Sequence, residues 1–214
     1  MEKRRISILG DSISTFAGYT PKEAVFYDSY VQWETGVKSV EDTWWMQVIK
    51  ALDGELGTNH SLAGSMVSGN LSTSAMSYER IEKLGTNGIP DIILISAGCN
   101  DWGFCVLPEE FEEAYRTMIH RIKEQYPHAD ICCATLPEGK RPQGETFFNI
   151  DSTISKRVYS DIIRENAQKA QVYIADLANV QEEYETVDGV HPNKAGMHTL
   201  ARMWIREIKK FICK

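Results

Sequence analysis

The chain has 214 residues, 43% of them hydrophobic, which suits one globular domain spanning residues 1–214 with a sizeable buried core. Its formal net charge is −7 and no run of Lys and Arg interrupts that balance, which argues against nucleic acid or an anionic membrane surface as the main partner. Cys99, Cys105, Cys132, Cys133 and Cys213 are odd in number and lack paired metal-ligand spacing, so a reduced setting fits best.

The N-terminus, Met1-Glu2-Lys3-Arg4-Arg5, leads straight into an apolar run, with no signal segment and no stretch long enough to span a bilayer. The expectation is a cytoplasmic protein with no membrane partner. The first strand is expected at residues 5–10, where Ile6-Ser7-Ile8-Leu9 runs into Gly10-Asp11-Ser12. That turn places a hydroxyl at the carboxyl end of a strand, where open α/β sheets hold their ligands. Serine is a weak nucleophile, however, and needs a base and an oxyanion site.

Residues 13–40 show no clear period and hold Phe16, Tyr19, Phe26, Tyr27, Tyr30 and Trp33. A loop this long is either a functional lid or binding wall, or surface decoration that its aromatics pack down. A helix is expected at 41–52, with Trp44, Trp45, Val48, Ile49 and Leu52 at helical spacing, and a short polar second strand at 59–62. The third strand, 91–97, contains the continuously apolar Ile92-Ile93-Leu94-Ile95, as expected of a strand covered on both faces. A helix over 108–125 opens with Pro108, Glu109 and Glu110, matching its dipole. Strands at 130–135 and 171–175 alternate with helices at 151–169 and 193–210. This alternation implies a parallel sheet with helices on both sides.

Two further clusters sit at strand ends. Gly98-Cys99-Asn100-Asp101 follows the third strand; it reads as an Asn/Asp-capped turn or as a side-chain amide offered to a developing oxyanion. Gly64 follows the second strand and either makes a turn or presents a bare N–H. Asp188-Gly189-Val190-His191-Pro192 precedes the last helix. There His191 can take a serine proton while Asp188 fixes its tautomer. In a 2-1-3-4-5 strand order, Gly64, Ser12 and Asn100 lie at the carboxyl ends of neighbouring strands about 4.8 Å apart. Residues 176–187 are long enough to bring His191 back to them.

On these residues the chain resembles the SGNH (GDSL-type) hydrolases. Gly10-Asp11-Ser12, Gly64, Gly98-Cys99-Asn100-Asp101 and Asp188-Gly189-Val190-His191 look like that family's four blocks, and Pro192, Asn193 and Gly196 continue the last. Ile13 stands where the family often has Leu. The resemblance spans residues 5 to about 205. It implies a flavodoxin-like three-layer α/β/α sandwich with a five-stranded parallel sheet, and hydrolysis of esters or thioesters without a metal or other cofactor. Ser12 would be the nucleophile and His191 the base oriented by Asp188. The backbone N–H groups of Ser12 and Gly64 and the Asn100 side chain would form the oxyanion hole.

Other chemistries match less well. There is no Gly-x-Ser-x-Gly elbow, phosphate-binding loop or Gly-x-Gly-x-x-Gly after the first strand. A metal at His191 and His198 lacks completing ligands. A flavin-binding protein and a binding module with an idle site remain as alternatives on the same scaffold. Asp11, Trp102 and Trp33 are the candidate substrate contacts, since aromatic platforms suit sugar faces or a small acyl pocket. The expected substrate is a short acyl ester, acetyl included, of a carbohydrate or small molecule; a lysophospholipase- or thioesterase-type acylhydrolase is the alternative. Nothing in the sequence bears on oligomeric state.

Overall fold

The structure, a computed structural model, describes residues 3–140 and 153–211. Five parallel strands form the central sheet: β1 (Arg5–Gly10), β2 (Glu55–Asn59), β3 (Ile92–Ser96), β4 (Asp130–Ala134) and β6 (Tyr173–Ala175). Their order is β2-β1-β3-β4-β6. This is the expected doubly wound order, with one added strand in the count. That strand, β5 (Gly139–Lys140), pairs with β7 (Tyr184–Glu185) in a separate two-stranded ribbon.

The alternation of side chains along the strands makes the three layers. Ile6, Ile8, Ile92, Leu94, Cys132 and Ala134 face one cluster, which holds α2 (Trp44–Ala51) and α7 (Lys194–Ile208). Trp44 and Trp204 stack there with ring centroids 4.9 Å apart. Leu9, Ile93, Ile95, Ile131 and Cys133 face the other cluster, against α3 (Tyr78–Lys83), α5 (Pro108–Gln125) and α6 (Lys156–Ala170). Cys132 and Cys133 are fully buried, and burial pushes the Cys133 thiol up to about 12, so both sit in the core as small hydrophobes.

The boundaries of β1 and α5 fall where the sequence puts them, and several others move. The second strand is Glu55–Asn59 rather than 59–62. Its sequence, Glu-Leu-Gly-Thr-Asn, has no apolar run, and it becomes a strand through its pairing with β1. The 60–62 stretch still follows β1 through His60 N–H to Ile8 O and Leu62 N–H to Gly10 O. Helix α2 begins at Trp44 because Thr43 caps it, and Val40–Asp42 forms a separate 3-10 turn. Helix α6 begins at Lys156 behind the cap Ser155; the expected start at 151 lies outside the described residues. The 13–40 loop contains a helix, α1 (Ser29–Thr35), whose cap Asp28 accepts from Tyr30 and Val31 N–H and which ends at Gly36 with φ 73°. A fourth short helix, α4 (Cys99–Gly103), follows β3.

Candidate active site

Strand β1 delivers Ser12 into a 3-10 turn, Ser12–Ser14, at the carboxyl edge of the sheet. Asp11 caps that turn by accepting from Ile13 N–H at 3.1 Å. The Thr15 hydroxyl then ties two segments together. It donates to Ser12 O at 2.9 Å and accepts from Phe26 N–H at 2.9 Å, so the Ser12 turn and the long aromatic loop share one pin.

His191 arrives from the far side of the sheet on the turn before α7. Its Nε2 is 2.8 Å from Ser12 Oγ, and its Nδ1 is 2.6 Å from Asp188 Oδ2. With Nδ1–H donating to the carboxylate, Nε2 is left to accept the serine proton. Asp188 Oδ1 accepts the backbone N–H of Val190 and His191 at 2.9 and 2.7 Å. Burial raises the Asp188 pKa, but the hydrogen bonds and charge of His191 outweigh it and hold the carboxyl below its ordinary range.

This turn is gripped on both sides of the histidine. Buried Tyr27 donates to Pro192 O at 2.8 Å, and buried Tyr184 to Val190 O at 2.9 Å. Asn193 caps α7 through Gly196 N–H. Gly196 has no alternative there, because a Cβ would lie 1.9 Å from Glu185 O. The Pro-Asn-x-x-Gly continuation is thus a packing requirement at the start of the helix that supports the histidine.

The oxyanion candidates come from three neighbouring strand ends. Among the described residues, the N–H groups of Ser12 and Gly64 make no hydrogen bond. Gly64 sits at φ +74°, with open space where a Cβ would be. The Asn100 amide donates to Ser65 O at 2.8 Å, which leaves its second N–H available. Asp101, fully buried, accepts Val67 N–H at 2.8 Å and Ser68 N–H at 2.9 Å. Asn100 and Asp101 together therefore fasten the Gly64 loop to α4.

The three expected substrate contacts fall in different surroundings. Asp11 is 2% exposed and engaged in its cap. Trp102 donates its indole N–H to Ile154 O at 2.9 Å, and Lys156 Nζ lies 4.5 Å over its ring, so much of the side chain packs within the protein. Trp33 is 73% exposed on α1. Phe26, one of several aromatics in the long loop, is the residue that reaches the site: it stacks on the His191 ring. Only the richness of the loop in aromatics signals this in the sequence. Tyr27 shares that one signal, and Tyr184 carries none. His198, the other half of the metal alternative, pairs with Gln47 instead. No helix among the described residues is long and apolar enough to cross a membrane.

Comparison with known proteins agrees with this architecture. A family model described as GDSL-like lipase/acylhydrolase matches residues 4–208. A multidomain esterase of Ruminococcus flavefaciens is 28% identical over 129 residues, covering 58% of this chain and 16% of that protein. The chain spans less than a third of the length of the curated relatives it matches. The crystal structure of a putative GDSL-like lipase from Bacteroides ovatus superposes with a TM-score of 0.70 at 22% identity, covering 98% of this chain and 100% of that one. A family two carbohydrate esterase from Clostridium thermocellum superposes with a TM-score of 0.63 at 15% identity, covering 99% of this chain and 65% of that one.

Proposed function

Because the chain belongs to the GDSL-like lipase/acylhydrolase family, a family of hydrolases acting on ester bonds, we propose that it is a serine ester hydrolase working through an acyl-enzyme on Ser12. The observation that carries this reading is the line Ser12 Oγ–His191 Nε2–Asp188, with spacings of 2.8 and 2.6 Å. In the first step Ser12 Oγ attacks the ester carbonyl while its proton passes to His191 Nε2. The carbonyl oxygen becomes an oxyanion held by Ser12 N–H, Gly64 N–H and the Asn100 amide. His191 returns the proton to the leaving alcohol as the C–O bond breaks. Water then attacks the acyl-Ser12 carbonyl, giving its proton to the same nitrogen; the acid leaves and Ser12 is restored.

The acyl group is short, acetyl included, and the alcohol a carbohydrate or other small molecule. Supporting this are the expectation from the sequence and the likeness to a fold-mate named as a carbohydrate esterase. The decisive comparison is wild type against Ser12→Ala on p-nitrophenyl acetate, with a fluorophosphonate label located by mass spectrometry. Loss of turnover and of the label in Ser12→Ala supports the assignment; near-wild-type turnover in that variant overturns it. An acyl series from acetyl to decanoyl, then acetylated sugars, tests the substrate. A rate that climbs with chain length would replace the short-acyl reading with a lipid-type acylhydrolase. An unlabelled, inactive wild type would make the chain a binding module.

A further inference from the structure

Among the described lysines and arginines, Arg80 is the most deeply buried. It lies on α3 and is 1% exposed, yet among the described residues it forms no ion pair with a carboxylate. Taking a guanidinium out of water is costly, and among the described residues its two terminal nitrogens are satisfied while Nε has no partner. Nη2 donates to Gly10 O at 2.8 Å and His60 O at 2.6 Å. Nη1 donates to Ser65 Oγ at 3.0 Å and Thr73 O at 3.1 Å. A rigid planar fork reaches acceptors on several segments at once, which a lysine ammonium on a flexible stem does not.

The acceptors identify the task. Gly10 ends β1, two residues before Ser12. Ser65 follows Gly64 directly, and its carbonyl accepts the Asn100 amide at 2.8 Å. Ser65 Oγ also lies 3.5 Å from Gly10 O. One guanidinium thus joins the segments that carry all three oxyanion candidates: Ser12 through Gly10, Gly64 through Ser65, and Asn100 through the Ser65 peptide. Burial pushes Arg80 down to about 10, partly offset by the charge of Asp11, so it keeps its proton and all its donors at neutral pH.

We propose that Arg80 is a positioning residue whose buried guanidinium sets the spacing between the β1 exit and the Gly64 loop, so that the Ser12 N–H, the Gly64 N–H and the Asn100 amide converge on one oxygen. This rests on the reading of Ser12 as nucleophile. Its contribution appears in the transition state, where the oxyanion forms, and not in ground-state binding.

The test compares wild type, Arg80→Lys and Arg80→Ala, with active sites counted by fluorophosphonate titration so that unfolded protein drops out. A trifluoromethyl ketone serves as probe, because its hemiketal with Ser12 places an oxyanion in the same hole. In Arg80→Lys, kcat for p-nitrophenyl acetate should fall about 100-fold, the loss expected for one oxyanion donor, while KM changes less than about threefold. Ketone affinity should weaken by the same factor as kcat/KM, and added guanidinium should restore part of the activity of Arg80→Ala. Should Arg80→Ala fail to fold, Arg80→Lys carries the test alone. Full ketone affinity and kcat per active site in Arg80→Lys, with only a lowered melting temperature, would reduce Arg80 to a structural group and overturn the proposal. Failure of wild type to label at Ser12 would overturn the underlying serine reading first, a distinguishable result.

Discussion

Phe26 lies flat on His191, ring centroids 3.6 Å apart and planes 10° from parallel. The same loop residue donates its N–H to Thr15, whose hydroxyl holds Ser12 O. Phe26 is therefore placed relative to Ser12 and His191 at once. An aromatic face fixes the plane of the imidazole and favours its cationic form as the serine proton arrives. Phe26→Leu should lower kcat about fivefold to tenfold, the equivalent of roughly 1 kcal/mol of stacking, and Phe26→Tyr should retain most of it. Steady-state kinetics at fixed active-site concentration checks this; an unchanged kcat in Phe26→Leu would make the stack incidental.

Asp188 and the two tyrosines hold the histidine by different means. In the proposed triad the carboxylate fixes the tautomer, so Asp188→Asn should cost about 10⁴-fold in kcat, as measured for Ser-His-Asp sites. Tyr27 and Tyr184 grip only the flanking carbonyls. Each Tyr→Phe change should cost about 1 kcal/mol of stability and no more than about tenfold in kcat. Thermal melts paired with kinetics separate the two cases. An Asp188→Asn enzyme no worse than Tyr27→Phe would remove Asp188 from the triad.

How much of this was legible depends on how locally each feature is encoded. Strand β1 and helix α5 are written in contiguous apolar runs and cap residues, and strand–helix alternation gives a parallel sheet, whose order is then one of the two common doubly wound arrangements. Ser12, Asn100, Asp188 and His191 stand at strand ends or before a helix, where short motifs mark them. Strand β2 is different: Glu55–Asn59 has little propensity of its own and is set by its register with β1. Helix α1 had its signals, Asp28 at the cap and Gly36 beyond its end, but its seven residues are too few to show a period. Tyr27 and Pro192 are 165 positions apart, and Arg80 and Gly10 are 70. Contacts over such separations follow from the finished fold, not from any spacing rule.

Asp101 offers a test of the loop that carries Gly64. Both of its oxygens accept backbone N–H groups, from Val67 and Ser68. In Asp101→Asn an amide NH2 faces one of those donors, leaving a buried N–H unmatched at a cost of about 1–3 kcal/mol. Stability should fall, and kcat should fall about tenfold with little change in KM, because the loop also holds the proposed oxyanion donor Gly64. A variant with wild-type kcat per active site would show that the Gly64 loop keeps its place without this anchor.

Asp11 links the site to the pH dependence of stability. Burial pushes its carboxyl up to about 6, against the Ile13 N–H and the charges of His191 and Arg80, which pull it down. In the unfolded chain it ionises near its ordinary value, 3.8. Between these values the native state holds a proton that the unfolded state has released. The contribution of Asp11 to stability is thus fully present below about pH 4 and lost as pH rises through 6. A displacement of about two pH units corresponds to roughly 3 kcal/mol. Asp11→Asn still offers an oxygen to Ile13 N–H but cannot ionise. Its melting temperature relative to wild type should therefore rise by about 5–10 °C between pH 4 and pH 8. A difference that stays flat across that range would mean that Asp11 is ionised in the native state throughout, with Arg80 and His191 compensating its burial in full.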